Sequence, residues 1–330
     1  MGLASLRRFA VIVLGFNLAV IAWGAYVRAS GAGAGCGSHW PLCNGVMLPH
    51  NPKLATVIEL SHRVSSGVGL VLTLLFAVLA FGAVGQGHPL RKSAVGAVGL
   101  YFAEALVGAG LVLLKLVAFD PSMAHVLSIG LHLVNTFLLL GALTLNVFFC
   151  RAEPRRFSLQ APGRGLVGAA LGMTLAVAVS GAVNAMGDTL FPVKTFRAGL
   201  AQDLNPASAL VLKLRVLHPM LAVGSALFVY FAVTRLRALN PSVAVARCGR
   251  AVVALLMLQL GMGLLNLALF APLSLQLVHL LLADALWILL VLLAAEILLC
   301  EARGTPPFFG RGLTPGGQLD EERLPPGGSS

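Results

Sequence analysis

The chain has 330 residues, of which 58% are hydrophobic and only 11% are charged, and its mean hydropathy is +0.91. This composition excludes an ordinary soluble domain and is typical of an integral membrane protein. The formal net charge of +11 arises from 23 Lys and Arg residues, which concentrate in alternate loops, as they do in the cytoplasmic loops of membrane proteins. The distribution of these charges therefore predicts a topology with both termini in the cytoplasm, and it does not indicate a nucleic-acid partner.

Several stretches of the sequence are long and apolar enough to cross a bilayer, since a spanning helix needs about 20 mostly apolar residues. The eight stretches are residues 9–27, 57–84, 93–114, 124–149, 166–187, 209–234, 251–270 and 275–299. The first is longer than the apolar core of a signal peptide, so we expect it to be retained. The sequence thus predicts an all-α integral membrane protein with eight transmembrane helices, a multi-pass protein of the plasma membrane.

The order of motifs is repeated on either side of a Pro-containing stretch at 151–163. The repeated pairs, first half and second half, are Gly24 and Gly181, His62 and His218, Glu104 and Gln259, and His132 and His279. This duplication predicts two repeated four-helix bundles, at 1–150 and 164–300, joined by a linker at 151–163. Residues 301–330 are rich in Pro and Gly, which predicts a disordered cytoplasmic tail.

One histidine stands near the outer start of every second predicted helix: His62, His132, His218 and His279. Each lies about four to nine residues inside its span, so the four imidazoles share one layer of the bilayer. Helix bundles build cofactor sites from side chains on facing helices, and two neutral imidazoles suit axial ligation of a haem iron. The sequence therefore predicts a haem site in each half, with histidines that only pack as the alternative.

Charged residues lie close to these histidines. Glu59 shares a helix face with His62, which predicts a catalytic acid or base beside the haem of the first half. The second half has Arg215 in place of this acid, so the first half is the predicted reactive side. Four cations near the outer helix ends are candidates for binding the haem propionates: Arg28, Arg63, Lys213 and Arg215. Snorkelling to the lipid headgroups explains each of them equally well.

The first outer loop, between Arg28 and Thr56, is rich in Gly and carries Cys36 and Cys43. On the oxidising face of a membrane, two such cysteines predict a disulfide or a redox-active thiol pair. A purely structural disulfide is an equal alternative. The other cysteines lie at predicted inner helix ends, where a reducing cytosol keeps thiols reduced.

In combination, these residues resemble the haem A synthase family. The resemblance rests on Trp40-Pro41-Leu42-Cys43 in the first loop, Glu59 with His62 and Arg63 in the second span, His132-Leu133-Val134-Asn135 in the fourth, and the single histidines of the sixth and eighth. It covers nearly the whole chain, residues 9–299. The family oxidises the methyl group on ring D of haem O to a formyl group, which produces haem A for terminal oxidases.

The resemblance also implies roles for particular residues and partners. It assigns His62 and His132 to the site of the substrate haem O, His218 and His279 to a haem b, Glu59 to the essential acid, and Cys36 with Cys43 to the outer pair. It implies delivery of haem O by a haem O synthase and an electron donor that the sequence does not identify. Membrane lipid and a second copy of the chain complete the expected partners.

Two other functions remain open, and one residue departs from the family pattern. A membrane cytochrome that carries electrons on haem b explains the histidines, but it gives Glu59 and the cysteines no role. A transporter explains the duplication, but transporter repeats are often inverted, whereas four spans per repeat give both halves the same orientation. The departure is Glu104, because the family usually has Gln there, as the second half does at Gln259.

Overall fold

The structure, a computed structural model, describes residues 2–117, 120–151, 155–157, 160–205, 207–208 and 210–301. The helices in these ranges are α1 (Leu3–Ala29), α2 (Leu54–Ala83), α3 (Pro89–Leu113), α4 (Met123–Phe149), α5 (Arg164–Leu190), α6 (Phe196–Leu204), α7 (Leu210–Arg215), α8 (Leu217–Leu239), α9 (Val243–Ala268) and α10 (Leu273–Leu298). Two short strands, β1 (Arg155–Phe157) and β2 (Leu299–Glu301), accompany them. Eight segments are long and apolar enough to span a membrane, with α7 and α8 forming a single span. The predicted helical, multi-pass architecture is therefore confirmed.

Polar side chains and a proline determine where several helices begin. Ser122 accepts a hydrogen bond from the backbone N–H of His125 at the start of α4, and Ser242 accepts one from Val245 at the start of α9. Pro89 occupies the first position of α3, where no helical hydrogen bond is lost. The two serines accept hydrogen bonds from backbone N–H groups that would otherwise remain unpaired at the edge of the lipid. Pro89 has no backbone N–H group, so it leaves none unpaired.

The sixth span is divided at Val216, although the sequence predicts one uninterrupted helix over 209–234. Pro219 has no backbone N–H, so it cannot donate to the carbonyl of Arg215. As a result α7 ends at Arg215 and α8 begins at Leu217. Val216 keeps helical backbone angles, φ −62° and ψ −27°, so the direction of the span continues through the division. His218 lies directly after it.

Equivalent helices pack on each other in both halves of the chain. In the first half α1 packs on α2 and α3 on α4, and in the second half α5 packs on α8 and α9 on α10. The halves meet where α4 contacts α5 and α10, and where α1 contacts α10. Each half has its own large cluster of buried apolar side chains. This packing is what the predicted duplication implies. The two repeated four-helix bundles and the membrane orientation of the termini stay predictions.

The two strands pair antiparallel, with Arg155 opposite Glu301 and Phe157 opposite Leu299. The sequence predicts a linker at 151–163, which stays a prediction, and within it β1 pairs with the strand directly after α10. The predicted disordered tail was expected to begin at residue 301. Residue 301 belongs to β2, and residues 302–330 lie outside the described part of the chain.

A tryptophan joins the two halves across the contact of α10 with α4. The Nε1 atom of Trp287 donates a hydrogen bond to the carbonyl oxygen of Phe137 at 2.6 Å, and the centroids of the two rings are 5.3 Å apart. The indole also lies against Gly141, where a Cβ would be 3.5 Å from Nε1. Lipid offers no competing hydrogen-bond partner, so this bond favours the observed contact between the halves.

We expect Trp287→Phe to lower the free energy of unfolding in detergent by about 0.5–1.5 kcal/mol, the usual net contribution of one hydrogen bond. Trp23→Phe is the matched control, because the Nε1 of Trp23 donates to Ser61 Oγ at an exposed position. Thermal unfolding of the purified variants measures the difference. Equal losses in the two variants would mean that the bond between the halves adds no particular stability.

Candidate functional site

The four predicted ligand histidines lie at one end of the bundle, each within about three turns of the start of its span. His62 is in α2, His132 in α4, His218 in α8 and His279 in α10. The same end carries the first loop (residues 30–53) and α6, and we call it the loop end. The rings of His62 and His132 lie within electrostatic range of each other, and so do those of His279 and His218. The structure thus brings together one histidine pair in each half.

In each half a glycine of the neighbouring helix lies against a histidine ring. A Cβ on Gly24 of α1 would be 2.8 Å from Cε1 of His62, and a Cβ on Gly181 of α5 would be 3.0 Å from Cε1 of His218. Carbon atoms pack at roughly 3.5–4.0 Å, so a larger residue at either position would displace the ring. The repeated glycines of the sequence therefore form one wall of the two imidazole sites.

Protein groups satisfy only some ring nitrogens of these histidines. Nδ1 of His218 lies 3.0 Å from Ser180 Oγ, and Nε2 of His279 lies 3.3 Å from the Gln259 amide nitrogen. Nδ1 of His62 and Nδ1 of His279 are buried without a hydrogen-bond partner in the part of the chain described. Buried unpaired nitrogens are unfavourable, and neutral imidazole is a common metal ligand. The donor set therefore fits a haem iron between two imidazoles.

Glu104 of α3 lies beside His132, a predicted ligand of the first half. Its Oε1 atom is 3.3 Å from Nδ1 of His132, close enough for an ion pair, although the ring nitrogen is not aligned for a hydrogen bond. The carboxylate accepts hydrogen bonds from the Asn135 amide at 2.6 Å and from the hydroxyl of Thr136. Asn135 also donates to the carbonyl of Leu100 at 2.9 Å. The acid in the middle of α3 is thus held by the helix that carries His132.

Glu59, the predicted catalytic acid, is buried, and both of its oxygens accept hydrogen bonds. Oε2 accepts from the backbone N–H of Cys36 at 2.8 Å, and Oε1 accepts from Nε and Nη2 of Arg63 at 3.1 and 2.5 Å. Nη1 of Arg63 donates to the carbonyls of His39 and Leu42 at 2.7 and 2.9 Å. This ion pair, which we call the Glu59–Arg63 clamp, ties the first loop to α2. The contacts of this pair with the first loop were not predicted from the sequence.

Arg215 occupies the position in the second half that corresponds to Glu59, and it is also buried, with 7% of its surface exposed. It donates to Asp203 at 3.0 and 2.5 Å, to Asp188 at 3.1 Å and to Gln202 at 3.3 Å. Gln202 and Asp203 belong to α6, so the guanidinium ties the loop between α5 and α7 to the sixth span. Each half thus holds its loop with a buried pair of opposite charges, and the signs are exchanged.

The other two predicted propionate partners lie in different surroundings. Arg28, near the end of α1, donates to the Ala185 carbonyl at 3.2 Å and to the Thr189 hydroxyl at 3.3 Å, so it joins α1 to α5. Lys213 lies exposed in α7. The binding of propionates by any of the four cations stays a prediction.

A disulfide joins Cys36 to Cys43 in the first loop, and both residues are fully buried. Gly35 fits tightly against the first turn of α2, because a Cβ on it would be 2.4 Å from the backbone carbonyl of Ala55. Thr56 Oγ1 donates to the carbonyl of Gly35 at 2.7 Å. The structure therefore contains the bonded form of the predicted cysteine pair, and redox activity of this pair stays a prediction.

Sequence reasoning did not single out three aspartates. Asp188 and Asp203 form ion pairs with Arg215. The sequence signal for them was that the second outer loop contains acids and precedes a span that opens with basic residues. Asp284 of α10 is 0% exposed, and neither of its oxygens has a hydrogen-bond partner among the described residues. The sequence signal that could have identified Asp284 is that ionisable residues are rare inside apolar spans.

Residues 7–291 match the model of a protein family described as cytochrome oxidase assembly protein. The chain belongs to this family. All candidate site residues, from Arg28 to His279, lie inside the segment that matches the cytochrome oxidase assembly family. The family match, with the relatives below, confirms the resemblance that the sequence motifs indicated.

Relatives of the chain carry two different names. A Thermus thermophilus protein named protoheme IX farnesyltransferase is 41% identical over 290 residues, which are 87% of this chain and 47% of that protein. The chain thus spans about half the length of this relative. A Staphylococcus epidermidis haem A synthase is 41% identical over 90 residues, 27% of this chain and 30% of that protein. A Staphylococcus carnosus haem A synthase is 35% identical over 133 residues, 39% of this chain and 42% of that protein.

We expect Gly35→Ala to speed reduction of the disulfide, because the added methyl group pushes the first loop away from α2 and exposes the buried sulfur atoms. Gly85→Ala is the control, since a Cβ on Gly85 meets nothing within 4 Å. Alkylation after a short exposure to reductant, with peptide mass spectrometry, measures the labelling of Cys36 and Cys43.

Cys150 is the internal reference for a buried thiol, and its labelling should stay low in every variant that remains folded. Burial raises the pKa of its thiol to about 11, which keeps the reactive thiolate scarce near neutral pH. Equal labelling of the loop cysteines in Gly35→Ala and the wild type would contradict the proposed packing of the loop.

Proposed function

We propose that this chain is a haem A synthase of the plasma membrane, which oxidises the ring-D methyl group of haem O to a formyl group. The observation that carries the proposal is the histidine pair at the loop end of each half, in a member of the cytochrome oxidase assembly family. Relatives named haem A synthase and protoheme IX farnesyltransferase support haem as the substrate class. The second of these names also supports delivery of haem O by a farnesyltransferase.

The two halves hold different haems in this proposal. His62 and His132 hold the substrate haem O, and His218 and His279 hold a resident haem b. The assignment rests on Glu59, because only the first half has an acid one helical turn before its ligand histidine. A bound haem b supplies one-electron transfer. The protein presents neutral imidazoles, orients the rings of His62 and His218 against their glycine walls, and surrounds the site with apolar helices.

Glu59 acts in the proposal as a base, or as a negative charge that stabilises the methyl carbon while it loses electrons. Both of its oxygens are bound, to Cys36 and to Arg63. Its availability therefore depends on the position of the first loop, which the disulfide and Gly35 hold against α2. The Cys36–Cys43 disulfide supports catalysis in this view by keeping the Glu59–Arg63 clamp in place.

Arg28 is the better candidate for binding propionates. The hydrogen-bond partners of Arg28 are neutral. Arg63 and Arg215, in contrast, donate to carboxylates and hold the two loops. We therefore propose that Arg63 and Arg215 act mainly by fixing these loops above the ends of the helices.

A haem-b electron carrier is the second candidate function. The observation that favours it is the engagement of both Glu59 oxygens by protein donors, which suits a structural role. Expression in a strain that makes haem O but no haem A separates the two functions. For a synthase we expect haem A, identified by mass after extraction from membranes, and haem b in the purified protein. Persistence of haem O, with haem b bound to the protein, would favour the carrier.

Two variants distinguish a chemical role of Glu59 from its role in the clamp. Glu59→Gln removes the carboxylate, and Arg63→Gln breaks the same ion pair while keeping the carboxylate. We expect Glu59→Gln to lower haem A formation by about 10²- to 10⁴-fold, the usual contribution of a positioned acid or base, with near-normal haem content. We expect a clearly smaller loss in Arg63→Gln. Equal losses would assign Glu59 to the clamp alone.

We expect Gly181→Ala to lower the haem b content, because its Cβ would occupy the place of the His218 ring. Gly172→Ala in the same helix is the control, since a Cβ there meets nothing within 4 Å. The haem absorbance per protein and the low-spin bands of the purified variants are the measurements. Wild-type spectra in Gly181→Ala would show that the second-half pair does not bind haem.

A further inference from the structure

The two histidine pairs have different polar neighbours at repeat-related positions. In the first half the carboxylate of Glu104 lies 3.3 Å from Nδ1 of His132. In the second half the neutral amide of Gln259 lies 3.3 Å from Nε2 of His279. The distances are the same and the chemical groups differ by one negative charge. The contacts also meet different ring nitrogens, and the Gln259 amide nitrogen is a donor whereas the Glu104 oxygen is an acceptor.

The carboxylate in the first half is held by residues that the second half lacks. Asn135 and Thr136 donate to Glu104, and they follow His132 by three and four positions, on the same face of α4. The corresponding positions after His279 are Leu282 and Ala283, which have no side-chain donor. Hydrogen bonds to a carboxylate favour its charged form. The acid and its two donors therefore form a unit that belongs to the first half.

The two contacts act differently on the histidine rings. His132 turns Nδ1 towards the Glu104 carboxylate, and its Nε2 remains for iron. At His279 the amide nitrogen of Gln259 donates to Nε2. A carboxylate beside the second nitrogen of a ligand histidine makes that histidine a stronger electron donor, whereas a neutral amide that donates to the ring adds no negative charge.

We propose that Glu104 and Gln259 are positioning residues that give the two haem sites different affinities for an electron. Negative charge beside His132 stabilises oxidised iron in the first half, so the reduction potential there is lower. The neutral Gln259 leaves the second half with the higher potential, and an added electron is more stable there. The inference rests on the proposed function only in requiring a haem in each half.

Reciprocal substitutions test the inference, because each one gives a site the group of the other half. Glu104→Gln should raise the potential of the first-half haem, and Gln259→Glu should lower that of the second-half haem. We expect at least a tenfold change in the ratio of reduced to oxidised haem at a fixed potential, which corresponds to about 59 mV for a one-electron couple. Redox titration of the visible haem bands of purified protein is the measurement.

A control and an assignment complete the experiment. Glu296→Gln removes an acid from α10 that pairs with Arg151 at 2.7 Å, at the end away from the histidines, and it should move neither couple. Gly181→Ala identifies the second-half couple, because it should remove that haem. The titration does not depend on haem A formation, so the inference and the proposed function can fail separately.

Unchanged potentials in both reciprocal variants, with haem bound, would overturn this inference and leave the proposed function in place. If Glu104→Gln loses its haem, Gln259→Glu alone decides the inference by the direction of its shift. Absence of haem from the wild-type protein would remove the proposed function and this inference together.

Discussion

The arrangement of helices at the loop end depends on a contact between an imidazole and a glycine. His62 lies against Gly24, and His218 against Gly181, at distances that leave no room for a Cβ. Helices in a bilayer gain little from hydrophobic association, and small residues let them approach closely. These glycines let α1 approach α2, and α5 approach α8, with an aromatic ring between them. The other candidate residues lie around these rings.

Buried opposite charges connect the loops to this arrangement. Glu59 and Arg63 hold the first loop, and Arg215 holds the second through Asp188 and Asp203. A buried charge that loses its partner is strongly unfavourable, so each loop has one preferred position on its helix. The disulfide adds a covalent constraint to the first loop alone. The candidate site is therefore enclosed from the loop end by groups that cannot separate without a large cost in free energy.

The two halves share their framework and differ in the polar residues around it. The helices, the glycines and the histidines are repeated, which suits two sites for the same kind of planar cofactor. Glu59 and Glu104 have no acidic counterparts, because Arg215 and Gln259 stand at the corresponding positions. At these two repeated positions, an acid therefore stands only in the first half. In the proposed function this difference separates the half that holds the substrate from the half that holds haem b.

The sequence by itself determined the eight spans, the duplication and the four histidines, because a bilayer requires long apolar segments and makes ionisable residues rare inside them. Tertiary structure alone decided what those ionisable residues bind: Glu59 the first loop, Glu104 the helix α4, and Arg215 the α6 loop. It also revealed the division of the sixth span and the β1–β2 pair. Residue spacing determines which side chains share a helix face, whereas these partners come from segments far apart in the chain. Their approach depends on how the helices pack.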